Sequence, residues 1–156
     1  MTSAALGPVL VREARVDDAP EVARLLALLG YPWPTDVVAQ RLAAYLASGE
    51  QAFVATDAPD GSSPALAGVL TVHITPVLHR AGPVGRLTSL VVDEPARGRG
   101  VGRALVQAAE AHFVARGCVL AEVTSNQRRT DAHRFYERLG YALTSARFGK
   151  VLTPAG

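Results

Sequence analysis

The stretch that most constrains the fold is SLVVDEPARGRGVGRALVQAAEAHF, residues 89–113. An apolar run gives way to Arg97, Gly98, Arg99, Gly100, Val101, Gly102 and Arg103, and Val101, Leu105, Ala108, Ala109, His112 and Phe113 then recur near one helical face. A strand that passes through glycines into a helix presents N–H groups without helical partners. With a macrodipole equivalent to about half a positive charge, they make a ready anion site. The glycines let main chain approach an anion closely, and the arginines add charge-assisted contacts to phosphate. A phosphate-bearing ligand is therefore the first expectation, set against a flexible turn whose arginines are merely solvated.

Spacing excludes two common phosphate loops. A P-loop needs Gly-Lys-Ser/Thr, and the single lysine, Lys150, is followed by Val151. The dinucleotide pattern Gly-x-Gly-x-x-Gly fails because its third glycine would fall on Arg103, counting from Gly98, or on Leu105, counting from Gly100.

Around this junction the pattern predicts strands at 8–15, 51–57, 65–75, 86–93, 118–125 and 141–148, and helices at 18–29, 35–48, 101–116 and 131–139. Asp18, with Glu21 three residues on, reads as a capping box, and Thr35 as the cap of the second helix. Gly30, Gly49, Gly117 and Gly140 read as helix stops. The strand-helix-strand unit 86–125 implies a parallel pair within a largely antiparallel sheet. No linker or repeat divides the 156 residues, so one domain, with a core at about 8–148, is expected.

The net charge of +2 does not call for a nucleic-acid partner. Cys118 is the single cysteine, which excludes an intrachain disulfide, and the four histidines show no metal-ligand spacing, so no metal is implied. No apolar stretch approaches the ~20 residues of a membrane-spanning helix, and "MTSAALGPVL" lacks the layout of a secretory signal. A cytoplasmic protein without a membrane partner is expected.

The Arg97-Gly98-Arg99-Gly100-Val101-Gly102 run resembles the acyl-CoA loop of the GNAT superfamily of N-acetyltransferases, whose pattern is Gln/Arg-x-x-Gly-x-Gly/Ala. "AHRFYERLGY" (132–141) resembles that family's Ala-x-x-x-Tyr-x-x-x-Gly-Phe/Tyr segment, in the right order. The resemblance implies an α/β fold of GNAT type, with a mixed, mostly antiparallel sheet, a central parallel strand pair and about four helices. It implies an acyltransferase that passes an acetyl group from acetyl-CoA to a primary amine by direct attack in a ternary complex, with no metal. Backbone N–H groups of Arg97, Gly98, Arg99, Gly100, Val101, Gly102 and Arg103 would hold the CoA pyrophosphate. The main chain of Leu90, Val91 and Val92, where the family's strand bulges, would pair with the pantetheine arm, and the Val92 N–H would polarise the thioester carbonyl. Tyr136 would give a proton to the departing thiolate. The family's asparagine position is Arg129 here, with Asn126 as its substitute at the strand end.

The amine must lose a proton before attack. Glu122 on its apolar strand is the first candidate base, with His73, His79 and water as alternatives, whereas His112 and His133 read as structural. Cys118 reads as an inert thiol. "GYPWP" (30–34), with Trp33 and Tyr45, falls where the family places its acceptor walls. The acceptor, a small molecule or a protein amine, stays open, and so does a homodimer. A non-catalytic acyl-CoA-binding module is the alternative, and Tyr136 speaks against it, because binding alone needs no acid beside the sulfur.

Overall fold

The computed structural model describes residues 8–56, 64–124 and 130–153, and the chain divides into two units, Met1–Val123 and Thr124–Gly156. The first unit is an α/β layer structure with β1 (Leu10–Glu13), α1 (Ala19–Leu28), α2 (Thr35–Ala47), β2 (Ala52–Thr56), β3 (Gly68–Thr75), β4 (Val84–Val92), α3 (Val101–Ala115) and β5 (Leu120–Val123). The strands lie in the order β1-β2-β3-β4-β5. The first three pairings are antiparallel and β4–β5 is parallel, because α3 carries the chain back across the sheet between them.

Each sheet face has its own core. On one, Val22 and Leu25 of α1 and Val38 of α2 pack with Val54, Val69 and Val91. The other lies under α3, which buries Val101, Leu105, Val106, Ala109 and Phe113. Leu25 and Leu105 are wholly removed from water, each worth about 1.5–3 kcal/mol of transfer free energy. Two strand glycines let α3 sit this close. A Cβ on Gly85 would lie 2.4 Å from the Phe113 ring, and one on Gly68 would lie 2.9 Å from the Val91 carbonyl oxygen and 3.0 Å from Leu105 Cδ1.

Helix ends depart from two sequence expectations. Asp18 precedes α1 without a side-chain capping bond. Its carboxylate instead accepts two hydrogen bonds from the Arg12 guanidinium, both 2.8 Å, and one from the Arg15 N–H, 2.8 Å. A bidentate guanidinium offers more than a lone helix N–H, so it takes the oxygens. Glu21 likewise does not close a box on Asp18, because it accepts from Arg24 at 2.9 Å and from the Leu66 N–H at 2.9 Å. Thr35 is the first residue of α2, and Pro34, extended at φ −59° and ψ 149°, is its cap. The expected stops do stand in the left-handed region, for example Gly49 at φ 91° and Gly117 at φ 78°.

The second unit holds α4 (Thr130–Arg138). It closes with Gly140 at φ 92°, and the Tyr141 N–H reaches back to the Tyr136 carbonyl at 3.0 Å, the long bond of a left-handed C-cap. The strand expected at 141–148 is not formed: residues 141–153 carry no strand, and Leu143 and Phe148 are exposed. Apolar alternation supplies only a propensity, and a strand exists only where a partner satisfies its main chain. Among the described residues the parallel pair accordingly stands at the end of the sheet.

Candidate active site

β4 is the strand on which the site is built. It pairs with β5 only from Val84↔Leu120 to Leu87↔Val123, but continues along β3 as far as Gly68↔Val92. Beyond Leu87 its β5 side therefore has no strand partner among the described residues. The β3–β4 register slips where Thr71 faces Ser89 and Val72 faces Leu87, which makes Thr88 the extra residue of a bulge. The bulge thus lies at Thr88, ahead of Leu90–Val92 where the resemblance put it.

Ladder alternation then decides which main-chain groups face the vacated edge. The Val72 N–H donates to the Gln51 carbonyl at 3.3 Å, so Thr71↔Ala52 is a non-hydrogen-bonded pair and Thr71 and Val69 turn their main chain toward β4. Their partners Ser89 and Val91 face β3, as does Asp93, whose N–H reaches the Ala67 carbonyl at 2.8 Å. Leu90 and Val92 consequently aim N–H and C=O at the open edge, while the N–H of Val91 is committed to β3. Arg97 Nε donates to the Val92 carbonyl at 3.3 Å.

After β4, a 3-10 turn at Glu94–Ala96 leads into the glycine loop. Gly98 and Gly100 both stand at φ 78°, a conformation disfavoured for any residue with a Cβ. The first bond of α3 runs from the Ala104 N–H to the Gly100 carbonyl, 3.0 Å, so the N–H groups of Val101, Gly102 and Arg103 precede the helical ladder, the position from which a helix can donate to an anion. Asp93 accepts from the Glu94 N–H at 3.0 Å and pairs with Arg24 of α1 at 3.1 Å. Arg24 also holds Glu21 and the Leu66 carbonyl. Its guanidinium pKa is raised, first by Glu21 and then by Asp93. Arg24 braces the base of the loop, a role the sequence signals only as one end of an i,i+3 pair.

A side-chain cluster occupies the face opposite α3. Gly85 lies under Phe113, so by strand alternation Arg86 points away from α3. His73, Arg86 and Glu122 stand in register on β3, β4 and β5. Two residues along β3, the Thr71 hydroxyl bonds that of Thr88 at 2.7 Å and that of Ser89. Tyr45 of α2 closes the cluster: its hydroxyl lies against the carbonyls of Gln51, 3.0 Å, and Val72, and accepts from the Val72 N–H at 3.1 Å. Burial, then the nearby Glu50 charge, pushes the phenol up to about 12 against the bonds from Val72 and Thr88, so Tyr45 is a neutral hydrogen-bonding group. His73 Nδ1 meets Glu50 Oε1 at 2.5 Å, and sequence reading missed Glu50 because nothing local links it to a residue so far along the chain. Trp33 is half exposed and stacks under the Arg41 guanidinium, 4.2 Å from the ring centre.

The other expected residues are placed as follows. Glu122 is exposed on β5, His79 is exposed in the loop after β3, and His112 lies half-buried on α3 with its ring 5.8 Å from that of Phe53. Cys118 is a free, part-buried thiol, pushed up by burial. Tyr136 lies on α4, in edge contact with Phe135 at 5.1 Å and Tyr141 at 5.8 Å. Asn126 and Arg129 fall outside the described residues. No cluster of metal-ligating side chains occurs among the described residues, and no described helix is long and apolar enough to cross a membrane.

The site thus comprises a strand that runs on past its last described pairing with β5, a left-handed glycine loop and a helix start. Residues 12–141 match the family described as Acetyltransferase (GNAT) family, and the chain belongs to it. It is 40% identical over 85 residues to an aminoalkylphosphonate N-acetyltransferase of Salmonella typhimurium, a match covering 54% of this chain and 55% of that one. It is 32% identical over 106 residues to a glucosamine 6-phosphate N-acetyltransferase of Oryza sativa, covering 68% of this chain and 61% of the relative. The chain thus spans little more than half the length of these relatives. In fold it is similar to glucosamine-6-phosphate N-acetyltransferase from Arabidopsis thaliana, with a TM-score of 0.79 at 21% identity over 94% of this chain and 99% of the other.

Proposed function

We propose that this protein is an N-acetyltransferase that transfers an acetyl group from acetyl-CoA to a primary amine by direct attack in a ternary complex. The observation that carries the reading is that β4 runs past Leu87, its last residue paired with β5 among the described residues, to Val92 and then leads into the Gly98/Gly100 turn. Acetyl-CoA supplies an activated acyl group and a thiolate leaving group. The chain's contribution is to bind, orient and move protons.

In this reading the outward N–H and C=O groups of Leu90 and Val92 hold the pantetheine arm in strand-like pairing, and the Val92 N–H polarises the thioester carbonyl. The Arg97 N–H, expected among the donors, is bonded to the Glu94 carbonyl at 3.2 Å, so the N–H groups from Gly98 to Arg103 receive the pyrophosphate, with Gly98 and Gly100 holding the turn and the Arg97, Arg99 and Arg103 side chains adding charge. Tyr136 delivers a proton to the sulfur, an assignment that comes from its place in "AHRFYERLGY". The acceptor is a small-molecule amine, in line with the relatives' names, and Tyr45, Thr71, Thr88, Trp33 and Arg41 shape its side of the site. Glu122 and His73 are the candidate proton acceptors.

Two measurements test the reading. Acetyl-CoA at a hundredfold excess over Kd should stabilise the fold by about 2.7 kcal/mol, seen as a rise in Tm of several degrees. A panel of amines, scored by release of free CoA thiol, should then yield at least one acceptor. No rise in Tm at saturation rejects the binding site, and a rise without thiol release from any amine points to a binding module instead.

A further inference from the structure

We infer that Arg24 of α1 is a positioning residue for acyl-CoA binding, acting through Asp93 to fix the angle between the β4 edge and the glycine loop. The inference rests on the acetyl-transfer reading and deepens it.

Val92 is the last residue of β4, and Gly98 is the first left-handed glycine of the loop. Residues 93–97 therefore set how the two halves of the proposed site face each other, and Asp93 is their joint. Its N–H belongs to the sheet, donating to the Ala67 carbonyl at 2.8 Å, and its carbonyl belongs to the turn, accepting from the Ala96 N–H at 2.9 Å. Its carboxylate is divided in the same way. Oδ1 accepts from the Glu94 N–H at 3.0 Å, while Oδ2 meets Arg24 Nη2 at 3.1 Å. One oxygen caps the turn and the other is held from a different element.

Arg24 is itself fixed. Its Nε and Nη2 donate to Glu21 at 2.9 and 3.0 Å, and Nη2 also reaches the Leu66 carbonyl at 3.1 Å. Glu21 accepts in turn from the Leu66 N–H at 2.9 Å. Leu66 precedes Ala67, the residue that takes the Asp93 N–H. The Glu21–Arg24 pair thus grasps both polar main-chain groups of Leu66 at the entry to β3, and Asp93 at the exit from β4. Val22 and Leu25 flank these two residues and are buried, so α1 is a firm base. An isolated exposed ion pair contributes little. Here a planar guanidinium whose side chain is 40% exposed meets a carboxylate on each side and a carbonyl, so it imposes direction as well as charge.

The loop has one other described tie to β4, from Arg97 Nε to the Val92 carbonyl at 3.3 Å. That bond joins two residues of one short stretch and cannot orient the stretch against the rest of the fold. Arg24 can, because it comes from α1. Pantetheine and pyrophosphate are parts of one molecule, so both halves of the site must be set together when it binds. Freedom at the joint has to be frozen out on binding, which lowers affinity. Removing Arg24 therefore acts on acetyl-CoA binding and leaves the step after binding close to its parental rate.

The test titrates acetyl-CoA into the full chain by calorimetry, well below the melting temperature of each variant. Arg24→Gln and Asp93→Asn should each weaken binding about tenfold. The double variant should be no more than about twofold weaker than the worse single one, because both changes remove the same contact. Turnover with an acceptor amine should show the matching rise in KM for acetyl-CoA, with kcat within about threefold of the parent. Arg24→Lys keeps the charge without the fork and should recover only part of the affinity. Arg12→Gln is the control. It breaks another guanidinium–carboxylate pair of the same unit, with 2.8 Å contacts to Asp18, and should lower Tm while leaving the acetyl-CoA Kd within about twofold.

Affinities of Arg24→Gln and Asp93→Asn within about twofold of the parent overturn the inference. So does an equal loss in Arg12→Gln, the mark of general loosening, or full recovery by Arg24→Lys, which would make charge the cause. Should Arg24→Gln fail to fold, Asp93→Asn, which keeps the shape of the side chain, carries the same comparison. If the parent binds no acetyl-CoA, the acyl-CoA reading fails and the inference falls with it; if the parent binds, only the role of Arg24 is at stake.

Discussion

The two sides of the site are made of different material. In the proposed reading the acyl-CoA side works through main chain: the outward N–H groups of Leu90 and Val92, the Gly98/Gly100 turn and the first N–H groups of α3. On the acceptor side they are side chains gathered from distant positions: Tyr45 and Glu50 at the end of α2, Thr71 and His73 on β3, and Thr88 at the bulge. A backbone site tolerates changes of side chain but not of conformation. A side-chain site responds in the opposite way, since conservative truncation removes the chemistry while the fold survives.

This contrast can be broken experimentally, and the largest effect belongs to a side chain. Tyr136→Phe should lower kcat about 100-fold or more when chemistry limits the rate, with the acetyl-CoA Kd changed by less than twofold. Unchanged single-turnover rates would remove the acid role of Tyr136. The next effect separates two kinds of glycine requirement. Gly85→Ala meets the Phe113 ring at 2.4 Å and should destabilise by about 1–3 kcal/mol as an overpacked core position, read in urea melts, while acetyl-CoA affinity well below the melting temperature is retained. A loss of affinity without a loss of stability would place Gly85 in the binding machinery.

A smaller effect comes from the carboxylates that sequence reading took for helix caps. Burial raises the pKa of Asp18, but the Arg12 and Arg15 hydrogen bonds outweigh it and leave the carboxyl below its ordinary 3.8. Glu21 is held below its ordinary 4.5, first by Arg24, with burial opposing. Folded values below unfolded ones mean that the stabilisation is present above about pH 4–5 and is lost as pH falls through the folded values. Asp18→Asn should therefore cost about 1 kcal/mol at pH 7 and flatten the acid limb of a Tm-against-pH curve. A variant as acid-sensitive as the parent would show that other carboxylates set that limb.

Legibility in the sequence follows the same divide. The glycine loop was readable because a left-handed turn leaves glycines at fixed spacing, and the stops at Gly30, Gly49, Gly117 and Gly140 were readable for the same conformational reason. The parallel pair followed from a helix lying between two strands. What local pattern could not supply were partners. Asp18 satisfies a capping pattern yet is taken by Arg12, six residues upstream. The Glu50–His73 pair spans 23 residues, so no window holds both. The bulge at Thr88 depends on the register of β3 against β4, which neither strand specifies alone. Residues 141–148 alternate as a strand does, but alternation names a face and not a neighbour.

The account's central claim is that acetyl-CoA is held by backbone conformation first and by arginine charge second. Calorimetric titration of acetyl-CoA into the parent protein, Gly100→Val and Arg99→Ala compares the two directly. Gly100 stands at φ 78° with nothing within 4 Å of an added Cβ, so valine there changes backbone conformation without a clash, at a cost of about 1–2 kcal/mol or more for a β-branched residue. Gly100→Val should weaken binding tenfold or more, and Arg99→Ala no more than about threefold, in keeping with one part-exposed charge. A loss larger for Arg99→Ala than for Gly100→Val would contradict the claim and make the arginines the cradle.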